Sequence, residues 1–295
     1  MKSPSLQIGS FKFDWGSRTY VMGILNVTPD SFSGDGIIAK GDVAARAAVN
    51  QARDFLANGA DILDVGGEST RPGSAPVNAD EEMERVIPVI QTLHRNFPQA
   101  IISIDTYKAQ VAEEALKAGA HIVNDVWGLR ADDGLAVVAK KYNAPVMLMH
   151  NRSNPVSVEV REKLGNAYVG AEYQDLLEDV KRELLESVEI AHKAQIVDSH
   201  IILDPGIGFG KTREHNLELV NRLDQIRELG YPILLGTSRK SFIGFTLDLP
   251  ADQRVEGTAA TVAVGIARGA DIIRVHDVKE MARVAKMTDA IVRNW

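Results

Sequence analysis

The sequence predicts an α/β protein, a (β/α)8 TIM barrel with an N-terminal β-hairpin. Three observations lead there: a repeated helix-to-strand joint, eight short apolar runs, and helical periods between them without a linker. The joint appears as Gly59-Ala60-Asp61-Ile62, Gly119-Ala120-His121-Ile122 and Gly269-Ala270-Asp271-Ile272, each after a helical pattern and before an apolar run. Glycine supplies the left-handed conformation that ends a helix, and the Ile that follows opens a buried strand. Repetition of that joint argues for parallel strands joined by helical crossovers.

The eight runs are 20–26 (YVMGILN), 60–66 (ADILDVG), 100–106 (AIISIDT), 121–127 (HIVNDVW), 145–150 (PVMLMH), 200–206 (HIILDPG), 232–238 (PILLGTS) and 271–277 (DIIRVHD). They are nearly continuous in apolar residues, as strands covered on both faces must be. Helical faces lie between them. Met83, Val86, Ile87, Ile90 and Leu93 form one, after Asn78 and Glu81 in a capping-box arrangement. Leu177, Val180, Leu184, Val188 and Ala191 form a second, and Leu219, Val220, Leu223 and Ile226 a third. Eight such units favour a single barrel domain over residues 1–295; a doubly wound sheet is the alternative. Residues 6–19 read as a hairpin closing the barrel bottom, with Asp14-Trp15-Gly16 near its turn. Two connections, 27–40 and 151–171, exceed what a βα loop needs, and such loops are usually functional or mobile.

Composition narrows the function classes. The 295 residues are 45% hydrophobic and 25% charged, ordinary for a chain with a sizeable core. There are no cysteines, which removes disulfides, thiolate nucleophiles and thiolate metal sites. No apolar stretch is long enough to span a membrane, and MKSPSLQIGSFKF lacks the features of a secretory signal. A cytoplasmic protein is expected. With a net charge of -7 and no basic stripe, neither nucleic acid nor membrane is an expected partner.

Each run ends in polar residues: Asn26, Glu68 and Thr70, Asp105, Asn124 and Asp125, His150 and Asn151, Asp204, Ser238 to Ser241, and Arg274 with His276. Barrel enzymes place their chemistry on this face. A single Asp at a strand end is more often a helix cap, but acids and amides at five ends exceed what capping needs. The glycines of 205–212 (PGIGFGKT) match neither a Walker loop, where Pro205 stands in place of Gly, nor a dinucleotide fingerprint; a tight turn is the better reading. Ser238, Arg239 and Lys240 follow the seventh run, near where barrels bind anions, and Arg274 and His276 share one side of the next strand. Cations and an imidazole are therefore expected to face one anion. No second His stands at ligand spacing to His276, so a metal here would be a hard ion such as Mg²⁺, held together with phosphate.

At these residues the chain closely resembles the dihydropteroate synthase family of folate biosynthesis. The matching stretches are VMGILNVTPDSFS (21–33), GADILDVGGESTRPG (59–73), SIDTYK (103–108), AGAHIVNDVWG (118–128), LMHNR (148–152), ILDPGIGFGKT (202–212), LLGTSRKSFIG (234–244), EGTAA (256–260) and GADIIRVHDV (269–278). The resemblance implies a transferase that joins 6-hydroxymethyl-7,8-dihydropterin diphosphate to p-aminobenzoate. It implies that Asp105, Asn124, Asp204 and Lys240 hold the pterin, with Met149 and Phe209 against the ring. Asn26 would be a Mg²⁺ ligand, Arg274 and His276 would grip diphosphate, Thr70, Arg71 and Pro72 would form a second mobile loop, and Ser241 would contact the p-aminobenzoate carboxylate. Asp105, Lys240, Arg274 and His276 would act in catalysis, as would the acid of the first loop. A homodimer is the family's habit.

One departure concerns that first loop. The family usually reads SFSDGG, whereas this chain has Ser31-Phe32-Ser33-Gly34-Asp35-Gly36, so the acid moves one place to Asp35. Gly34 supplies backbone freedom that could return the carboxylate to its place. A methyltetrahydrofolate-binding methyltransferase on the same barrel would share the pterin-holding acids but need neither the ESTRPG loop nor the Arg274/His276 pair. A non-catalytic pterin-binding paralogue would be expected to lose Asn26, Thr70 or Arg71, all of which are present.

Overall fold

The computed structural model describes residues 5–27, 42–70, 73–154, 158–161 and 164–293. Strands β1 (Leu6–Ile8) and β2 (Phe11–Phe13) pair as an antiparallel hairpin. The eight predicted runs are then eight parallel strands: β3 (Tyr20–Asn26), β4 (Ile62–Gly66), β5 (Ile101–Asp105), β6 (Ile122–Asp125), β7 (Val146–Met149), β10 (Ile201–Asp204), β11 (Leu234–Leu235) and β12 (Ile272–Val275). Their order is β10-β7-β6-β5-β4-β3-β12-β11, and a parallel bridge between Leu203 and Ile233 joins the two ends. The sheet closes into a TIM barrel.

Helices α1 (Asp42–Ala57), α2 (Ala79–Asn96), α3 (Ala109–Ala118), α4 (Gly134–Lys141) and α5 (Leu176–Lys193) follow successive strands. The second half carries α6 (Arg213–Asn221), α7 (Leu223–Arg227), α8 (Ser241–Leu247), α9 (Val255–Ala267) and α10 (Val278–Val292). The joints behave as read: Gly59, Gly119 and Gly269 have φ of 98°, 113° and 100°. The next N–H bonds back to the helix at each joint, as in Ala60 to Phe55 O and Ala120 to Ala115 O, both 2.9 Å. Asn78 caps α2 by accepting from Glu81 N–H at 2.9 Å. The third helical face is buried as expected, but Arg222 divides it between α6 and α7.

The core has two parts. The larger lies between the barrel and its helices. The smaller is the barrel floor, where Met22, Ile62, Ile101, Ile122, Met147, Ile202, Leu234 and Ile272 meet Leu6, Phe13, Trp15 and Tyr20. The hairpin therefore closes the bottom. Its turn differs in place from the expectation: with Leu6 opposite Phe13 and Ile8 opposite Phe11, the reversal falls at Gly9-Ser10. Trp15 instead leads towards β3, buried and stacked on Phe13 at 5.1 Å.

Of the two long connections, 28–41 lies outside the described residues. The other contains a second hairpin, β8 (Val158–Arg161) with β9 (Gly165–Tyr168), which four-residue strands are too short to announce in sequence. Among the described residues, no helix is long and apolar enough to cross a membrane.

Candidate active site

Strand register assembles the mouth. Asn26 pairs with Gly66, Gly66 with Asp105, and Asp105 with Asn124, so the last residues of β3, β4 and β5 and the penultimate residue of β6 lie in one row. Met149 ends β7 beside Asp204, which ends β10. Side chains in such a row share one face of the barrel, and glycine at position 66 keeps the space beside Asp105 open.

Arg274 on β12 reaches past β3 into this row. Its Nε donates to Asp64 Oδ2 and its Nη2 to Asp105 Oδ2, each at 2.6 Å. Asn124 Nδ2 also donates to Asp64 Oδ2, at 3.2 Å. Burial works against the Arg274 charge, but the two carboxylates outweigh it and raise its pKa further. Burial also pushes the Asp105 carboxyl up to about 7, against the pull of Arg274 and with the help of Asp64. Arg274 was expected to face an anion. Its guanidinium lies between two acids, the arrangement that stabilises a charge this deep in the mouth.

Asp64 was not among the expected site residues. It is fully buried, and its Oδ1 has no hydrogen-bond partner among the described residues. Its signal was present in the sequence: a lone acid inside the otherwise apolar run ILDV, where a charge requires a partner.

The opposite wall comes from the turn after β10. Asp204 Oδ1 accepts from Gly206 N–H at 2.7 Å, and burial raises the Asp204 carboxyl while Lys240 opposes the rise. Gly206 has φ of 69°, and a Cβ there would lie 1.8 Å from the carbonyl oxygen of His150, so only glycine fits. Residues 205–212 are the tight turn expected. Lys240 donates to the Ile207 carbonyl and lies 4.8 Å over the Phe209 ring. Burial lowers its ammonium to about 8, with Asp204 opposing.

Behind this turn sits a buried network that the sequence did not announce. Lys211 Nζ bonds to His150 Nδ1 at 2.9 Å, Gly206 O at 2.9 Å and Phe209 O at 3.0 Å. Burial, reinforced by Lys211, lowers His150 to about 3, so the ring is neutral. Burial holds the Lys211 ammonium well below its ordinary value too, and the other ring nitrogen, His150 Nε2, lies 3.1 Å from Glu183. That contact is close but poorly aligned as a hydrogen bond.

The remaining expected residues divide. His276 Nδ1 lies 2.9 Å from Ser238 Oγ, at the rim of the same mouth. Arg239 turns outward to the Asp277 carboxylate, with Nε at 2.9 Å, and does not join Lys240. Ser241 begins α8 and lines a cleft of about 490 Å³ with Gly208, Tyr168 and Phe242. Thr70 lies at the rim, its carbonyl accepting from Tyr168 Oη at 2.9 Å. Asp35, Arg71 and Pro72 lie outside the described residues. Two strand-end acids serve structure: Asp125 caps its own turn through Trp127 and Leu129 N–H groups, and Glu68 pairs with Lys108.

Acids, an amide and a lysine converge beside Phe209 and Met149, which suits a flat heterocycle rich in donors and acceptors. The barrel is thus an enzyme scaffold with a heterocycle-binding mouth. The model of the pterin binding enzyme family matches residues 22–276, and the chain belongs to that family. Among its relatives is the dihydropteroate synthase of Clostridium beijerinckii, 53% identical over 98% of this chain and 100% of that protein. Similar solved structures include the dihydropteroate synthase of Clostridium difficile in the presence of pteroic acid, with a TM-score of 0.85, 50% identity and coverage of 96% and 100%. The Xanthomonas albilineans enzyme with 4-aminobenzoic acid has a TM-score of 0.86 at 37% identity, covering 98% of each chain.

Proposed function

We propose that this chain condenses 6-hydroxymethyl-7,8-dihydropterin diphosphate with p-aminobenzoate, giving 7,8-dihydropteroate and diphosphate in folate biosynthesis. The observation that carries the reading is the convergence of Asp105, Asn124, Asp204 and Lys240 on one mouth, in a chain similar to dihydropteroate synthases over nearly its whole length. Residues 1–295 work as one pterin-binding domain.

The pterin edge presents adjacent N–H donors, which the Asp204 carboxylate accepts in pairs. Asp105 and Asn124 hold the other edge, and Phe209 and Met149 cover the ring. The bond from the methylene carbon to the diphosphate oxygen breaks, the arylamine nitrogen bonds to that carbon, and the amine gives up a proton. A neutral arylamine is already nucleophilic at pH 7, so alignment matters more than a strong base. Negative charge grows on the departing diphosphate, where Arg274 and His276 stabilise it. Ser241 contacts the p-aminobenzoate carboxylate, and Thr70, Arg71 and Pro72 act in substrate binding. The role of the first-loop acid falls to Asp35; Asp35→Ala is expected to slow turnover strongly while leaving pterin binding intact, and wild-type turnover in that variant would remove the role.

Asn26 at the end of β3 offers a hard oxygen at the mouth. No cluster of three or more His, Cys, Asp or Glu able to hold a metal occurs among the described residues. One hard donor suits a Mg²⁺ that arrives with the diphosphate and keeps phosphate and water oxygens as its other ligands. When bound, the ion would neutralise charge on the leaving group.

The working form is a cytoplasmic homodimer acting on small molecules, with no nucleic-acid or membrane partner. Leu217 on α6, Leu247 on α8 and Val264 on α9 are each more than 40% exposed, and α6 packs against both other helices. Sedimentation at the mass of one chain would exclude the dimer. The catalytic test is diphosphate release by the purified chain given dihydropterin diphosphate, p-aminobenzoate and Mg²⁺. Release that requires both substrates and stops in excess EDTA is expected. No release would overturn the function, and full activity in EDTA would overturn the metal.

A further inference from the structure

The connection from β7 to α5 is longer than a βα crossover requires, and none of the roles above uses its hairpin. The hairpin is nevertheless fastened to the catalytic mouth. Just after β9, Ala171 N–H and Tyr173 Oη donate to the Gly210 carbonyl, at 2.9 and 3.1 Å. Gly210 belongs to the turn that carries Phe209. At the hairpin's own turn, Arg254 Nη2 donates to the Leu164 carbonyl at 2.7 Å, which ties it to the start of α9.

From this anchored position the last residue of β9, Tyr168, reaches two groups of the site. Its ring centroid is 5.9 Å from that of Phe209, with the planes 33° apart. Its hydroxyl donates to the Thr70 backbone carbonyl at 2.9 Å. Tyr168 also lines the cleft of about 490 Å³ that contains Ser241. It therefore lies among the three residues assigned above to the ring wall, the second loop and the arylamine carboxylate.

We propose that Tyr168 is a positioning residue for the arylamine substrate, tying the Thr70 segment to the Phe209 wall so that the p-aminobenzoate site is framed before that substrate enters. This rests on the synthase reading. Because the acceptor is a backbone carbonyl, the tie depends on the residue at 168 and not on the side chain at 70. Burial, with Glu68 adding to it, raises the phenol's pKa, so the hydroxyl stays a donor throughout the neutral range. Tyr168 meets the pterin site only through Phe209 but lines the Ser241 cleft itself, so the larger effect of losing it falls on the second substrate.

The test is steady-state kinetics of Tyr168→Phe and Tyr168→Ala with each substrate varied, alongside pterin binding by calorimetry and thermal denaturation. Loss of one hydrogen bond in Tyr168→Phe is expected to raise KM for p-aminobenzoate by about 3- to 10-fold, with kcat, pterin affinity and Tm unchanged. Tyr168→Ala, which also removes the ring, should raise that KM further. Unchanged KM for p-aminobenzoate in both variants overturns the proposal. So does a lowered Tm accompanied by equal changes for both substrates, which is the behaviour of a residue that only holds the fold. A wild-type chain that forms no dihydropteroate would remove the underlying synthase reading, whereas an active wild type with an unaffected Tyr168→Ala removes this inference alone.

Discussion

Asp204→Asn is expected to weaken pterin binding by about 10²-fold, the order set by an unmatched charge-assisted hydrogen bond in a buried site. The substitution conserves size but replaces one acceptor with an NH₂ group, which meets the pterin's own N–H donors. The remaining amide oxygen still accepts from Gly206 N–H, so the turn that carries Phe209 keeps its brace. Lys240 loses the carboxylate that opposes its desolvation, and its pKa falls below about 8. Calorimetry with a 6-hydroxymethylpterin ligand checks the first effect. Asp125→Asn is the control, because Asp125 caps its own turn. Equal affinity in Asp204→Asn and wild type would reduce Asp204 to a turn cap as well.

The parts of this molecule that the sequence made legible are those governed by local rules. Eight strands could be read because buried parallel strands need unbroken apolar runs, and the joints because a helix ending at glycine leaves a fixed phrase. The strand-end polar residues could be read for the same reason, since the barrel fixes which end faces the chemistry. What stayed hidden depends on partners distant in sequence. Arg274 meets Asp64 and Asp105 across 210 and 169 residues, so nothing near Arg274 shows that its charge is already shared. Arg239 and Lys240 are adjacent cations, and only the left-handed backbone at Arg239, φ 57°, together with Asp277, sends one outward and leaves the other in the mouth. Asp64 was visible but unread: one acid in an apolar strand signals a buried pair, although its partner cannot be named from the run itself. The β8–β9 hairpin escaped because short strands carry too little alternation to separate from loop.

Arg274→Ala is expected to lower kcat by about 10²-fold or more, as loss of a transition-state stabiliser at the leaving group should. The same substitution should destabilise the folded chain, because it leaves Asp64 and Asp105 buried together without their cation; breaking such an arrangement costs about 3–5 kcal/mol. The two effects separate by pH. Burial already raises Asp105 to about 7, with Arg274 opposing the rise. Without the guanidinium the carboxyl rises further. A carboxyl whose folded pKa lies above its unfolded value binds more protons in the folded state, so stability falls as pH increases through the interval between the two. In the wild type, Asp105's part of that fall is complete near pH 7; in Arg274→Ala it continues above. The deficit in Tm relative to wild type should therefore be smaller at pH 6 than at pH 8, while the loss in kcat persists at both because the Arg274 guanidinium no longer meets the departing diphosphate. Thermal denaturation and kinetics at the two pH values decide. An unchanged Tm, or a deficit independent of pH, would mean that the acids do not depend on Arg274, and an unchanged kcat would remove it from the leaving-group site.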